Sequence, residues 1–151
     1  NAAKRQAGQY INRHVTIFAS GFLVPVARRW KTQFNEGGKA FAAFEALPEA
    51  DHNTLAGIYN PEQHVCQEYA MFLAASLDHP RNLARVAKTR QILMLEGIGT
   101  DTFNAKGETR LAQIWSSLLF GDYVAYYLAM LYDIDPTAIP PITALKEEMS
   151  R

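Results

Sequence analysis

The run His14-Val15-Thr16-Ile17-Phe18-Ala19-Ser20-Gly21, leading into Leu23 to Asn35, decides the fold. The first seven residues are β-branched and aromatic, the composition of a short buried strand, and Gly21 punctuates it. Leu23 to Asn35 reads as a helix with Pro25 tolerated in its first turn. Phe22, Val26, Trp30 and Phe34 recur every four residues and share one face. Gly37-Gly38 ends the helix. Working outward, Phe41 to Phe44 predicts a second, short strand, and Pro48 to Leu55 a helical turn or two. Tyr69 to Ser76 reads as a strand, Asn82 to Glu96 as a helix broken by Gly97 and Gly99, and Thr100 to Asn104 as a strand. Glu108 to Tyr132 predicts a long helix. Its apolar stripe of Leu111, Ile114, Trp115, Leu118 and Leu119 is continued by Val124, Tyr127, Leu128 and Leu131 past a kink at Gly121. Pro140 to Ser150 closes the chain as a short amphipathic helix. Strands alternating with helices predict an α/β fold in three layers, a parallel sheet flanked by helices. Ligands of such sheets sit outside the carboxyl ends of the strands, which directs attention to the loops at Gly21, Glu36 to Gly38 and His52.

Composition sets the bounds. The chain has 151 residues, the size of one domain, and 48% hydrophobic with 20% charged residues is an ordinary globular balance. Fifteen basic residues cancel fifteen acidic ones, so no electrostatic footprint for nucleic acid or an anionic membrane is present. One cysteine, Cys66, cannot form an internal disulfide. No apolar run approaches the ~20 residues of a membrane helix, and Asn1 to Gln6 has no signal core. These features predict a cytoplasmic protein. The first two or three residues are set aside from the fold.

Specific runs carry the chemistry. Arg29-Trp30-Lys31-Thr32-Gln33-Phe34-Asn35-Glu36 is followed by Leu47-Pro48-Glu49-Ala50-Asp51-His52-Asn53. Gly121-Asp122-Tyr123-Val124-Ala125-Tyr126-Tyr127-Leu128-Ala129 comes next, and then Asp135-Pro136-Thr137 with Ile142 and Leu145-Lys146. Taken together and in this order, these four runs resemble the C-terminal half of the bifunctional phosphoglucose/phosphomannose isomerases, which have the sugar isomerase (SIS) fold. The resemblance covers nearly the whole chain from His14 onward.

The resemblance implies interconversion of glucose 6-phosphate or mannose 6-phosphate with fructose 6-phosphate, by proton transfer between C1 and C2 through a cis-enediol. It implies Glu36 as the base, His52 as the ring-opening acid–base group reaching in from a neighbouring subunit, and Lys146 as a cation near the substrate oxygens. Thr137, Arg29 and Gln33 become substrate-binding or site-shaping residues. Histidine suits its task because its proton affinity lies near neutrality, and Glu36 stands at the negative end of a helix dipole, which disfavours its charged form. The resemblance further implies one C-terminal SIS domain over 1–151, a homodimer, and a missing N-terminal SIS half that cradles the phosphate. The fragment alone is then expected to turn over little substrate.

Departures are Gly37-Gly38, where the family carries a polar residue after the glutamate, Thr54 in place of an acidic residue, and the poorly matching stretch Ile58 to Gln67. A rival reading is a non-catalytic regulatory SIS module that binds sugar phosphate. No cofactor and no metal is expected, since His64 and Cys66 fall short of a zinc set. Gly97-Ile98-Gly99 is not a dinucleotide fingerprint. Trp115, Tyr123, Tyr126 and Tyr127 read as core or interface aromatics.

Overall fold

His14–Ser20 forms β1, and it lies inside the sheet. β2 (Ala42–Leu47) pairs on one side, β3 (Glu68–Ala74) on the other, and β4 (Gly99–Asn104) follows β3, all parallel in the order β2-β1-β3-β4. Ile17 stands level with Phe44 and Met71. Val15, Ile17 and Ala19 enter one core and Phe18 the other. Both faces of β1 and β3 are therefore covered, which is why these strands read as apolar runs without alternation.

The computed structural model describes residues 1–150, except for the side chain of His64, so the His64–Cys66 ligand reading lies outside the described residues. Helices α1 (Ala2–Tyr10), α2 (Val24–Glu36) and α5 (Arg110–Leu131) cover one face of the sheet. The other face carries α4 (Pro80–Leu95), two 3-10 turns (Glu49–His52 and Thr54–Gly57) and the short α3 (Glu62–Val65). This is the expected three-layer α/β arrangement.

Three local expectations are corrected. The first residues, set aside in the sequence reading, belong to the fold. The Asn1 side chain accepts from the amides of Ala3 (3.0 Å) and Lys4 (3.4 Å) and donates to the Tyr127 hydroxyl (3.0 Å), while Ala3, Ala7 and Tyr10 are buried. Second, α5 runs through Gly121 as one continuous helix. The glycine is required there by close approach, because a Cβ would overlap the Trp30 indole, whose Nε1 donates to the Ser117 carbonyl at 2.9 Å. Third, the expected α5 stripe is divided between core and solvent: Val124 and Leu128 are buried and Ile114, Leu118 and Tyr127 pack partly buried against the core. Gln113, Ser117 and Gly121, polar or small residues outside that stripe, also face inward and let Trp30 in. Leu111, Trp115, Leu119, Tyr123, Tyr126 and Met130 point outward. Among the described residues α5 is the one helix long and apolar enough by composition to cross a membrane, yet its inner face is packed on α1 and α2. Beyond it, α6 (Pro140–Met149) buries no residue.

Candidate functional site

Glu36 is the last residue of α2. The helix stops there because the amides of Gly37 (2.8 Å) and Gly38 (3.0 Å) both turn back to the Gln33 carbonyl, and Ala40 N bonds Phe34 O at 3.0 Å. Gly38 has no room for a side chain, its Cβ position lying 2.9 Å from the Phe34 carbonyl oxygen and 3.3 Å from that of Ala125. Lys39, not a glycine, takes the left-handed turn at φ 55°. Asn35 Nδ2 donates to Lys31 O (2.7 Å) and to Ala42 O (3.0 Å), fastening the helix end to the start of β2. The Glu36 backbone is thereby fixed while its carboxylate stays exposed.

That position differs from the strand-end expectation. α2 follows β1 and returns antiparallel to it, so its last turn lies at the amino end of the strands. Gly21 and His52 sit at the carboxyl end; Glu36 does not.

The carboxylate instead borders a groove between α2 and α5. A hollow of about 320 Å³ is lined by Arg29, Gln33, Glu36, Asp122, Tyr126 and Pro136, among others. A neighbouring hollow of about 430 Å³ shares Arg29, Gln33 and Asp122 and is walled by Trp115. Arg29, Gln33 and Glu36 are on successive turns of one helix face. Gln33 is only 6% exposed, and its Oε1 has no hydrogen-bond donor. A buried, unpaired carbonyl costs about 1–3 kcal/mol, so Gln33 leaves an unanswered polar group beside the groove. Asp122 has no role in the sequence reading. Its place in the matched Gly121-Asp122-Tyr123 run is the signal that points to it.

On the other side of Glu36, a hollow of about 460 Å³ is bounded by Asn35, Lys39 and the turn from Asp135 to Ile142. Thr137 donates to Asp135 Oδ1 from its hydroxyl (2.7 Å) and its amide (2.8 Å). Those bonds, the hydroxyl first, hold the exposed Asp135 carboxyl below its usual range, with Lys39's charge assisting. Thr137 thus lies between Pro136 and Ala138, which border the hollows on either side of Glu36. Lys146 is exposed on α6, one turn beyond Ile142, a lining residue of this hollow.

His52 ends the 3-10 turn after β2, exposed. Its neighbour Asp51 anchors the turn to α4, accepting from Thr89 Oγ1 at 2.7 Å with Arg85 Nη1 at 3.5 Å. One copy of the chain therefore assembles Arg29, Gln33, Glu36 and the Thr137 turn, places Lys146 on a projecting helix, and leaves His52 at the opposite end of the sheet.

At the carboxyl end, the crevice between β1 and β3 is the topological switch point. It is taken up by the chain's own Asp78. Ser20 Oγ donates to Asp78 Oδ2 (2.6 Å), while His79 N (2.7 Å) and Asn82 Nδ2 (3.0 Å) donate to Oδ1. Partial burial pushes this carboxyl up, and the Ser20, Asn82 and His79 bonds together outweigh it, leaving it below the ordinary value. Gly21, at φ 53°, has no space for a Cβ against Asp78. A further hollow of about 330 Å³ lies on the far face of the sheet, beside Thr54 to Val65, and holds none of Glu36, His52 or Lys146. Among the described residues no three His, Cys, Asp or Glu side chains converge as metal ligands.

Comparison with known proteins agrees with the α/β fold. The chain is 33% identical over 151 residues to the bifunctional phosphoglucose/phosphomannose isomerase of Caldicellulosiruptor bescii, covering 99% of this chain and 44% of that protein. It is 33% identical over 135 residues to the protein of the same name from Aquifex aeolicus, covering 89% and 42%. The chain thus spans less than half the length of these curated relatives. A crystal structure of a glucose-6-phosphate isomerase like protein from Thermus thermophilus superposes with a TM-score of 0.77 at 25% identity, over 92% of this chain and 46% of that one. Residues 1–149 match the bacterial phospho-glucose isomerase C-terminal SIS domain, and the chain belongs to that family.

Proposed function

We propose that this chain is the proton-transferring half of a cytoplasmic isomerase that interconverts glucose 6-phosphate or mannose 6-phosphate with fructose 6-phosphate. The observation that carries the reading is the α2 face. Arg29, Gln33 and Glu36 line one groove, with an exposed carboxylate beside a buried acceptor that lacks a donor. A sugar hydroxyl donating to Gln33 Oε1 would hold the carbon skeleton against Glu36. Glu36 takes the proton from C2 of the open-chain aldose, giving a cis-enediolate charged at O1; a proton passes from O2 to O1 through the cis-enediol, and Glu36 returns its proton at C1 as the O2 carbonyl forms. Arg29 and Lys146 supply positive charge to the oxygens on which negative charge develops. His52 opens the ring from a neighbouring copy in a homodimer. A further SIS half of the parent grips the phosphate. Neither nucleic acid nor a membrane takes part.

The test is Glu36→Gln in the two-domain parent, read by exchange of the substrate C2 hydrogen with deuterated solvent. The exchange rate is expected to fall by about 10²–10⁴-fold with sugar-phosphate binding retained. An unchanged rate removes Glu36 from the mechanism, whereas absence of exchange in the unsubstituted parent would favour the regulatory, non-catalytic reading.

A further inference from the structure

Asp122 lies on the α5 wall of the groove, and Glu36 on the α2 wall. Asp122 borders both hollows that hold Arg29 and Gln33, and one of these also holds Glu36. Opposite charges sharing a hollow commonly pair. Among the described residues, however, the ion pairs are His14–Glu68 and Arg85–Asp51, and neither Asp122 nor Arg29 takes part in one. The Asp122 carboxylate is exposed and unclaimed by a cation. Its backbone is nevertheless firmly placed. Gly121, the residue before it, lies against the indole of Trp30, which follows Arg29 on α2 and donates from Nε1 to the Ser117 carbonyl at 2.9 Å. The helix is continuous through this point. A carboxylate on a single methylene, carried by a packed helix, is held within the narrow range that recognition of a small ligand requires.

We infer that Asp122 is a substrate-binding residue, accepting a hydrogen bond from a hydroxyl on C3 or C4 of the open-chain sugar. This role rests on the isomerase reading above. Charge selects which end of the substrate lies here. The hollow of about 320 Å³ has two carboxylates, Glu36 and Asp122, against one guanidinium, Arg29. An excess of negative charge repels a phosphate dianion. It suits the hydroxyl-rich end of the sugar, whose O–H groups donate to carboxylates. The reaction then fixes the position along the carbon chain. With Glu36 serving C1 and C2, a second carboxylate in the same hollow meets hydroxyls further on, at C3 or C4. Tyr126, one turn after Asp122 on the same helix face, borders this hollow too and brings a phenol that both donates and accepts. Glucose and mannose differ only at C2, so a contact at C3 or C4 holds both alike. A site that bonds a particular hydroxyl also rejects a sugar that lacks it.

The experiment compares the two-domain parent with its Asp122→Asn variant on three substrates: glucose 6-phosphate and its 3-deoxy and 4-deoxy forms. The position is exposed and the replacement keeps the side chain's shape, so the core is spared. With glucose 6-phosphate, kcat/KM is expected to fall about 10–100-fold, the loss of one hydrogen bond to a charged group, and the fall should lie mainly in KM. With one of the two deoxy substrates the same substitution should cost less than about threefold, because the hydroxyl that Asp122 holds is already gone. An equal loss on all three substrates would make the effect structural and overturn the role. No loss on any, or a loss confined to kcat at unchanged KM, would overturn it as well. A parent that fails to isomerise glucose 6-phosphate overturns both this role and the isomerase reading. A parent that isomerises it, with any of the three adverse results, removes Asp122 alone.

Discussion

Gln33 and Asp78 show how differently one chain treats two polar groups. Gln33 Oε1 is buried and unanswered, so removing it should not harm the fold. Gln33→Leu is expected to leave unfolding stability unchanged or raise it by up to about 1 kcal/mol, while weakening sugar-phosphate binding about tenfold through loss of one hydrogen bond. Urea unfolding and a binding titration of the two-domain parent would measure both. A purely structural Gln33 would lose stability and spare affinity. Asp78 is the opposite case, with three donors and a carboxyl held below its ordinary value of 3.8. The native state therefore takes up this proton less readily than the unfolded chain. Its stabilisation is complete above the ordinary value and is lost as pH falls through the lowered native one. Asp78→Asn should cost about 1–2 kcal/mol at neutral pH and flatten this part of the acid dependence. Urea midpoints at pH 7 and below pH 4 would show it.

At the scale of elements, α2 and α5 divide what can be read from what cannot. β1 and α2 are legible because their periodicity and their burial coincide: Val26, Trp30 and Phe34 recur every four residues and are all buried. In α5 the two part company. Leu111, Trp115 and Leu119 of its apolar stripe face out, and its buried face joins Val124 and Leu128, which the pattern flags, to Gln113, Ser117 and Gly121, which no hydrophobic pattern flags. α1 is hidden for a related reason, since two of its three buried apolar residues are alanines. Gly121 reads as a kink because its true cause, the Trp30 indole, lies far away in sequence. Gly121→Ala tests the contact. Helix propensity favours alanine by about 1 kcal/mol, but displacing a buried indole costs about 1–3 kcal/mol. A net loss of about 1 kcal/mol is expected in thermal or urea unfolding of the chain. A gain in stability would mean that Trp30 yields without penalty.

At the scale of the whole molecule, the parallel sheet in three layers follows from alternating strand and helix patterns, and the strand order does not. The order β2-β1-β3-β4 depends on which side of β1 each crossover returns to, and no local residue preference encodes that choice. The candidate site divides the same way. The residues of the Arg29 to Glu36 run can be picked out by their motif. The groove they share with Asp122 and Tyr126 exists only because α5 lies against α2. The strand-end rule points to the wrong end of the sheet for Glu36, because it concerns the loops that leave strands and not the helix ends that return. The separation of Glu36 from His52 across the sheet has a consequence for genetics. Two proteins, each crippled at one of these positions, should cure one another when their subunits are shuffled. A blend of Glu36→Gln and His52→Ala parents, unfolded and refolded together, is expected to recover about a quarter of normal turnover, since about half of randomly paired twofold dimers carry one intact pair. Should the blend stay as dead as its ingredients, histidine and glutamate do not meet across subunits.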